Sequence, residues 1–190
     1  NKEILFSGHA ERYSKIKNDS FLNTPLLTDC LKYGEPDKVV FFERPYLKKS
    51  RQLYAGQYRE VLNRMNLPSK YLKKFLPHNI TYIQHHTSHA CASYFTSPYD
   101  ESAIVVIDAI GEWDTVSIWS ATYEKQPMLG NFGIAKYKKL WSQKYPHSIG
   151  LYYSAMTGRL GLRPQDEEYI LMGMAGWGKN TVEQKIKTAL

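Results

Sequence analysis

The chain has 190 residues, 43% of them hydrophobic and 23% charged, with a formal net charge of +7. That composition is ordinary for a folded protein and excludes a collagenous, disulfide-dense or low-complexity chain. The longest apolar run, Ala103 to Ile107, has the length of a buried strand, far short of the roughly 20 residues a membrane helix needs. The N-terminal apolar patch is followed at once by polar and charged residues, unlike a signal peptide, so a cytoplasmic protein is expected. Cys30 and Cys91 stand apart among apolar neighbours and read as buried, reduced thiols.

In chain order, residues 3–6 read as a short strand, the second arm of a hairpin. Thr24-Pro25 reads as a helix cap with proline at the first helical position, and that helix should stop at Gly34. Lys38 to Phe42 is expected as a strand. The basic stretch Lys48 to Lys74 follows, where fifteen tyrosines in the whole chain invite a nucleic-acid reading through base stacking. Tyr54, Tyr58, Val61, Leu62 and Met65 recur at helical spacing, however, which favours a packing stripe on an amphipathic helix over a nucleic-acid groove. A second short helix is expected over residues 69–76, then a strand from Ile80 to Gln84 and a helix over Ser88 to Ser97. Ser97 to Ser102 is a turn and a candidate subdomain boundary, dividing residues 1–100 from 101–190. Ala103 to Ala121 reads as a β-hairpin whose turn carries Asp108, Gly111, Glu112 and Trp113, with a third strand at 132–137. Pro146 to Leu162 reads as a helix, Glu167 to Gly178 as a glycine-punctuated connection, and a last helix starts near Thr181. This order is α/β in class. The first strand has no partner before it and the last helix nothing to pack under it, so the chain reads as a piece of something larger.

Three segments carry chemistry. In "QHHTSHA", Gln84 to Ala90, His85 and His89 are spaced i, i+4. On a helix they project from one face, one turn apart, which is a common half-site for a divalent metal. Asp108, at the end of a buried strand, is the obvious carboxylate to complete it. The alternative is that His85 and His86 close a strand and His89 is a satisfied core histidine. In "DAIGEWDT", Asp108 to Thr115, an acid, a glycine and a threonine at a hairpin turn can cradle phosphate oxygens, although many hairpins carry such turns for geometry alone. In "ERYSKIKND", Glu11 to Asp19, Arg12, Lys15 and Lys17 could converge on an anion or form a solvated loop.

Taken together, "QHHTSHACASYFTSPYDESAIVVIDAIGEWDT", "YPHSIGLYYSAMTGRLGL", "EEYILMGMAGWG" and "ERYSKIKND" resemble, in the same order, the O-carbamoyltransferases of the nodulation-protein U and cephalosporin and tobramycin carbamoylation type. The resemblance covers nearly the whole chain. It implies an actin-like ATPase (sugar-kinase-like, ribonuclease-H-like) fold, incomplete in these residues. It also implies an enzyme that moves a carbamoyl group from carbamoyl phosphate, through a carbamoyl-adenylate made with ATP, to a hydroxyl of a small molecule or sugar. His85, His89 and Asp108 match the family's metal ligands, with iron(II), manganese or zinc suited to such a donor set. Lys17 matches a lysine on the carbamoyl-phosphate side. Gly111 and Thr115 match a nucleotide-phosphate hairpin, and His86 has no motif-based role. Ala109 departs from a family glycine, and Glu167 and Ile170 stand where glycine and lysine are usual. The family's opening phosphate loop and the later half of its ATPase-like domain have no counterpart here. Little or no turnover is therefore expected of this piece alone, and uncovered apolar surface could make it self-associate. Two other readings stay open: a threonylcarbamoyl-tRNA or hydrogenase-maturation type of carbamoyltransferase, and a truncated, non-catalytic binding module.

Overall fold

The computed structural model describes residues 4–189 except 18, 20, 64–66, 69–71, 73–79 and 126–132. The expected helix over 69–76 lies almost wholly outside the described residues, as does Met65. The polypeptide forms α1 (Ala10–Ser14), α2 (Thr24–Leu31), β1 (Val39–Phe41), α3 (Pro45–Tyr54), α4 (Tyr58–Leu62) and β2 (Ile80–Tyr82). Then follow α5 (His85–Phe95), β3 (Glu101–Gly111), β4 (Asp114–Lys125), β5 (Gly133–Lys144), α6 (Ile149–Arg159), α7 (Glu168–Ala175) and α8 (Glu183–Ala189). β1 and β2 pair in parallel, and β3, β4 and β5 form an antiparallel meander. The α/β class expected from the element order is what the chain adopts.

The core lies between α5 and one face of the meander. β3 alternates strictly, so Ile104 and Val106 point inward while Val105 and Ile107 stay exposed. The inward pair meets Ala90 and Tyr94 of α5 and Trp119 and Ala121 of β4. Each large side chain so buried contributes about 1.5–3 kcal/mol. The small residues of α5 let the helix lie close on the sheet, and the Tyr94 hydroxyl donates across the following turn to the Asp100 carbonyl at 2.5 Å. This core is shared by residues on both sides of the 97–102 turn.

Several local expectations are corrected. Residues 4–6 form no strand, and α2 is capped by Asn23 instead of Thr24. The Asn23 amide oxygen accepts from Leu26 N–H at 3.0 Å while its NH2 donates to the Ala10 carbonyl at 2.9 Å, which ties the cap to α1. The tyrosine stripe does not form. Gly56, at φ +73, separates α3 from α4 and interrupts the helical period, leaving Tyr54, Tyr58 and Leu62 70%, 63% and 78% exposed. Cys30 is exposed and Cys91 half-buried, so neither is the fully buried thiol expected; Cys30 sits on the rim of an open apolar cleft with Leu26 and Phe41. The hairpin turn is only Glu112-Trp113, because β3 runs on through Asp108 to Gly111 with an irregular register after Ile107. β5 is twice the expected length, and the 167–178 connection contains a helix, α7. Among the described residues, no helix is long and apolar enough to cross a membrane.

Candidate metal centre

The strand β2 ends at Tyr82 and the chain enters α5 with His85 as its first helical residue, after Gln84 in an extended conformation. The helix therefore starts three residues earlier than the sequence pattern places it. That start puts His85 and His89 on one face, one turn apart, with ring centroids 4.8 Å from each other. Two buried carboxylates of the hairpin lie beside this start. The Glu112 carboxylate accepts the backbone N–H of Arg44 at 2.5 Å. Asp114 accepts from the Gln84 side chain at 3.0 Å and pairs with Lys139 at 2.7 Å. The residue before the helix is thus tied to the β3–β4 turn through the Gln84 side chain.

Asp108 reaches the same point from β3. Its Oδ1 accepts its neighbour's amide, Ala109 N–H, at 2.7 Å, which turns Oδ2 toward the histidines. On the far side, α6 presses on the backbone just after Asp108. The Ser148 hydroxyl donates to the Ala109 carbonyl at 2.6 Å while capping α6 through Leu151 N–H. A Cβ on Gly150 would stand 2.5 Å from the Ala109 Cα, so only glycine allows this approach.

The result is a three-residue cluster. His85 Nε2 lies 2.9 Å from Asp108 Oδ2 and 3.0 Å from His89 Nε2, and His89 Nε2 lies 3.9 Å from the same carboxylate oxygen. All three ligand-type atoms fall within 4.8 Å of one another. Atoms bound at about 2.0–2.2 Å to one ion stand about 3.0–3.5 Å apart, so the cluster needs only a small adjustment of His89. Two imidazole nitrogens and one carboxylate oxygen on one side, with His89 still 53% exposed, make the donor set of a site with open positions. The residues fit a borderline divalent metal. Without one, His85 donates to Asp108, and that hydrogen bond holds the Asp108 carboxyl below its ordinary range against the opposing effect of burial.

Gly111 belongs to the same assembly. A Cβ there would meet His85 Cδ2 at 2.5 Å and His86 Cδ2 at 2.7 Å, so its hydrogen lets both rings lie on the hairpin backbone. Thr115 is fully buried, and its hydroxyl donates to the His147 carbonyl at 2.6 Å. In this geometry both residues serve the packing of hairpin, α5 and α6, and the Thr115 hydroxyl is turned into the chain. Lys17 is brought elsewhere: its ammonium lies 3.4 Å from the Tyr169 hydroxyl, over the Tyr169 ring and 3.9 Å from Asp166. Arg12, Lys15 and Lys17 do share a cleft of about 250 Å³ with Glu11 and Ile16. Of the three departures, Ala109 lies under α6 and Glu167 pairs with Arg163 at 2.7 Å, while Ile170 is within α7.

Three residues of the site carry no sequence signal. His86 is fully buried, its Nδ1 2.7 Å from the Ser117 hydroxyl, which also accepts from Trp119 Nε1. Burial lowers the pKa of its ring. Glu112, at φ +58 in the tight turn, is buried, and desolvation pushes its carboxyl up despite the Arg44 amide it accepts. Glu43, just after β1, pairs with Lys48 at 2.9 Å and faces His85. Nothing short of the fold itself places an acid at position 43 beside a histidine at position 85.

The chain is 32% identical to uncharacterized protein sll1178 of Synechocystis over 93% of its own length and 31% of that protein's. It is 29% identical to uncharacterized protein MJ1058 of Methanocaldococcus jannaschii, over 68% of the chain and 22% of the relative. It is 23% identical to nodulation protein NolNO of Sinorhizobium fredii, over 93% and 26% respectively. The chain thus spans less than a third of the length of these curated relatives. Residues 32–190 match the family model described as carbamoyltransferase N-terminus, and the chain belongs to that family.

Proposed function

We propose that this chain supplies the metal-holding part of a carbamoyltransferase, in which a hydroxyl of a small molecule or sugar accepts a carbamoyl group. The carbamoyl group comes from carbamoyl phosphate and passes through a carbamoyl-adenylate made with ATP. The observation that carries the reading is the convergence of His85, His89 and Asp108 from α5 and β3, in a chain whose family is that of the carbamoyltransferase N-terminus.

In the transfer step the acceptor oxygen forms a bond to the carbamoyl carbon. The bond from that carbon to the phosphate oxygen breaks with its electron pair on the leaving group, and the hydroxyl proton is lost to a nearby base. A divalent ion held by His85, His89 and Asp108 would polarise the carbamoyl carbonyl or lower the pKa of the acceptor hydroxyl. The rigid packing under the cluster, from Gly111, Glu112 and Ser148, keeps these groups aligned, which is where much of the rate of a group transfer arises. Arg12, Lys15 and Lys17 offer cationic side chains for a phosphate-bearing donor. Isolated as 190 residues, the chain is expected to show little or no turnover.

The test is transfer of radiolabelled carbamoyl from carbamoyl phosphate to a panel of aminoglycoside and sugar hydroxyls. The enzyme is a protein carrying this chain at the full length of its relatives. Asp108→Asn should lower the rate at least about 10-fold, because it removes a carboxylate ligand from the ion that would polarise the carbamoyl carbonyl. An unchanged rate in that variant would refute the reading.

A further inference from the structure

We infer that Glu43 is a positioning residue for the metal centre: it is the acceptor that receives the His85 Nδ1 proton when Nε2 becomes a ligand. The inference rests on the metal reading above and names a residue outside the ligand set.

A neutral imidazole carries one proton. In the metal-free chain that proton belongs on His85 Nε2, which donates to Asp108 Oδ2 at 2.9 Å, and Nδ1 is then a bare lone pair. Consistent with that, Nδ1 is buried with no hydrogen-bond partner. A metal on Nε2 reverses the ring: the lone pair is needed at Nε2, so the proton must sit on Nδ1. That N–H would then be buried, and a buried donor without an acceptor is strongly disfavoured. One carboxylate oxygen faces it, Glu43 Oε2, at 3.9 Å.

Glu43 is suited to the task. Its side chain is 12% exposed, and Lys48 holds both of its oxygens, at 2.9 and 3.2 Å, so its charge is compensated before any metal arrives. Phe42, edge-on to the His85 ring with centroids 5.4 Å apart, limits how that ring can turn. The remaining step is a closure of the 3.9 Å gap to hydrogen-bond length, about 1 Å, as the ring settles onto the ion. Carboxylate, histidine and metal then form the outer-shell arrangement that fixes tautomer and raises ligand basicity, and whose loss costs about 10- to 100-fold in metal affinity.

The experiment uses the full chain with manganese(II) and zinc(II) as probes, by calorimetric titration, comparing wild type, Glu43→Leu, Glu43→Gln, His85→Ala and Asp108→Asn. Glu43→Leu should weaken binding about 10- to 100-fold, and Glu43→Gln, which keeps an acceptor oxygen, should recover part of the loss. Proton and nitrogen-15 spectra of the zinc-loaded wild type should show the His85 Nδ1–H shifted downfield by a hydrogen bond to Glu43, a shift that Glu43→Leu should lose and that a merely structural role for Glu43 would leave unmoved. If His85→Ala and Asp108→Asn lose affinity while Glu43→Leu binds as wild type with the same Nδ1–H shift, the role of Glu43 is overturned and the metal centre stands. If His85→Ala and Asp108→Asn bind as wild type, the metal reading itself fails and this inference with it.

Discussion

Adding a single methyl group at Gly111 probes the site without replacing a ligand. The new Cβ would stand 2.5 Å from His85 Cδ2 and 2.7 Å from His86 Cδ2, closer than real carbon contacts allow. Neither ring can retreat freely. His86 is fully buried and tied to Ser117 at 2.7 Å, and His85 is bonded to Asp108 at 2.9 Å. Gly111→Ala should therefore behave as overpacking and cost about 1–3 kcal/mol. For a chain of this size that lowers the melting temperature by about 2–12 °C. The displaced His85 ring should also weaken manganese binding by more than about tenfold, since a ligand moved from its geometry loses much of its bond. Gly173→Ala is the control: it lies within α7 with nothing near its added carbon, and should stabilise by about 0.4–1 kcal/mol. Melting followed by circular dichroism and calorimetric titration read both effects. A Gly111→Ala chain as stable as wild type, with undiminished affinity, would refute the close packing of α5 on the hairpin.

Ser117→Ala should cost about 1–3 kcal/mol in urea denaturation, because it leaves the buried His86 Nδ1 and Trp119 Nε1 without their shared partner; an unchanged midpoint would contradict that network. Lys139→Met should cost more, about 3–5 kcal/mol, by leaving the Asp114 carboxylate buried with only Gln84 beside it, and a loss under 1 kcal/mol would show the pair to be unimportant. Glu112 sets a pH dependence of unusual sign. Its folded carboxyl titrates above the ordinary 4.5, chiefly because burial disfavours its charge, so its contribution to stability is fully present below 4.5 and is lost as pH rises through the higher folded value. Glu112→Gln should remove that loss, so the stability of the variant relative to wild type should rise between about pH 4 and pH 7; a difference that is flat or falling over that range would contradict the burial of the charge.

What the sequence made legible follows from which interactions are local. The i, i+4 spacing of His85 and His89 and the acid at the end of an apolar strand are written in adjacent residues, and the structure brings those three together. The apolar run from Ala103 to Ile107 likewise reads as a buried strand, but only Ile104 and Val106 face the core, and the turn expected over Asp108 to Trp113 narrows to Glu112-Trp113. Helix and strand ends were less legible because side chains distant in sequence decide them. Gln84, just before α5, is tied to Asp114, and the cap of α2 is Asn23, which also binds Ala10. The tyrosine stripe misled because one glycine in the left-handed region breaks a period that the side chains alone suggest. Glu43, His86 and Ser117 were invisible for the same reason: their importance lies in contacts spanning 31 or more positions.

The central claim is that α5 and β3 together make a metal centre. Anomalous diffraction from crystals of the chain soaked in manganese(II) tests it most directly. The account predicts one strong peak with His85 Nε2, His89 Nε2 and Asp108 Oδ2 about 2.0–2.2 Å away. A map with no peak there, and His85 still hydrogen-bonded to Asp108, would contradict it.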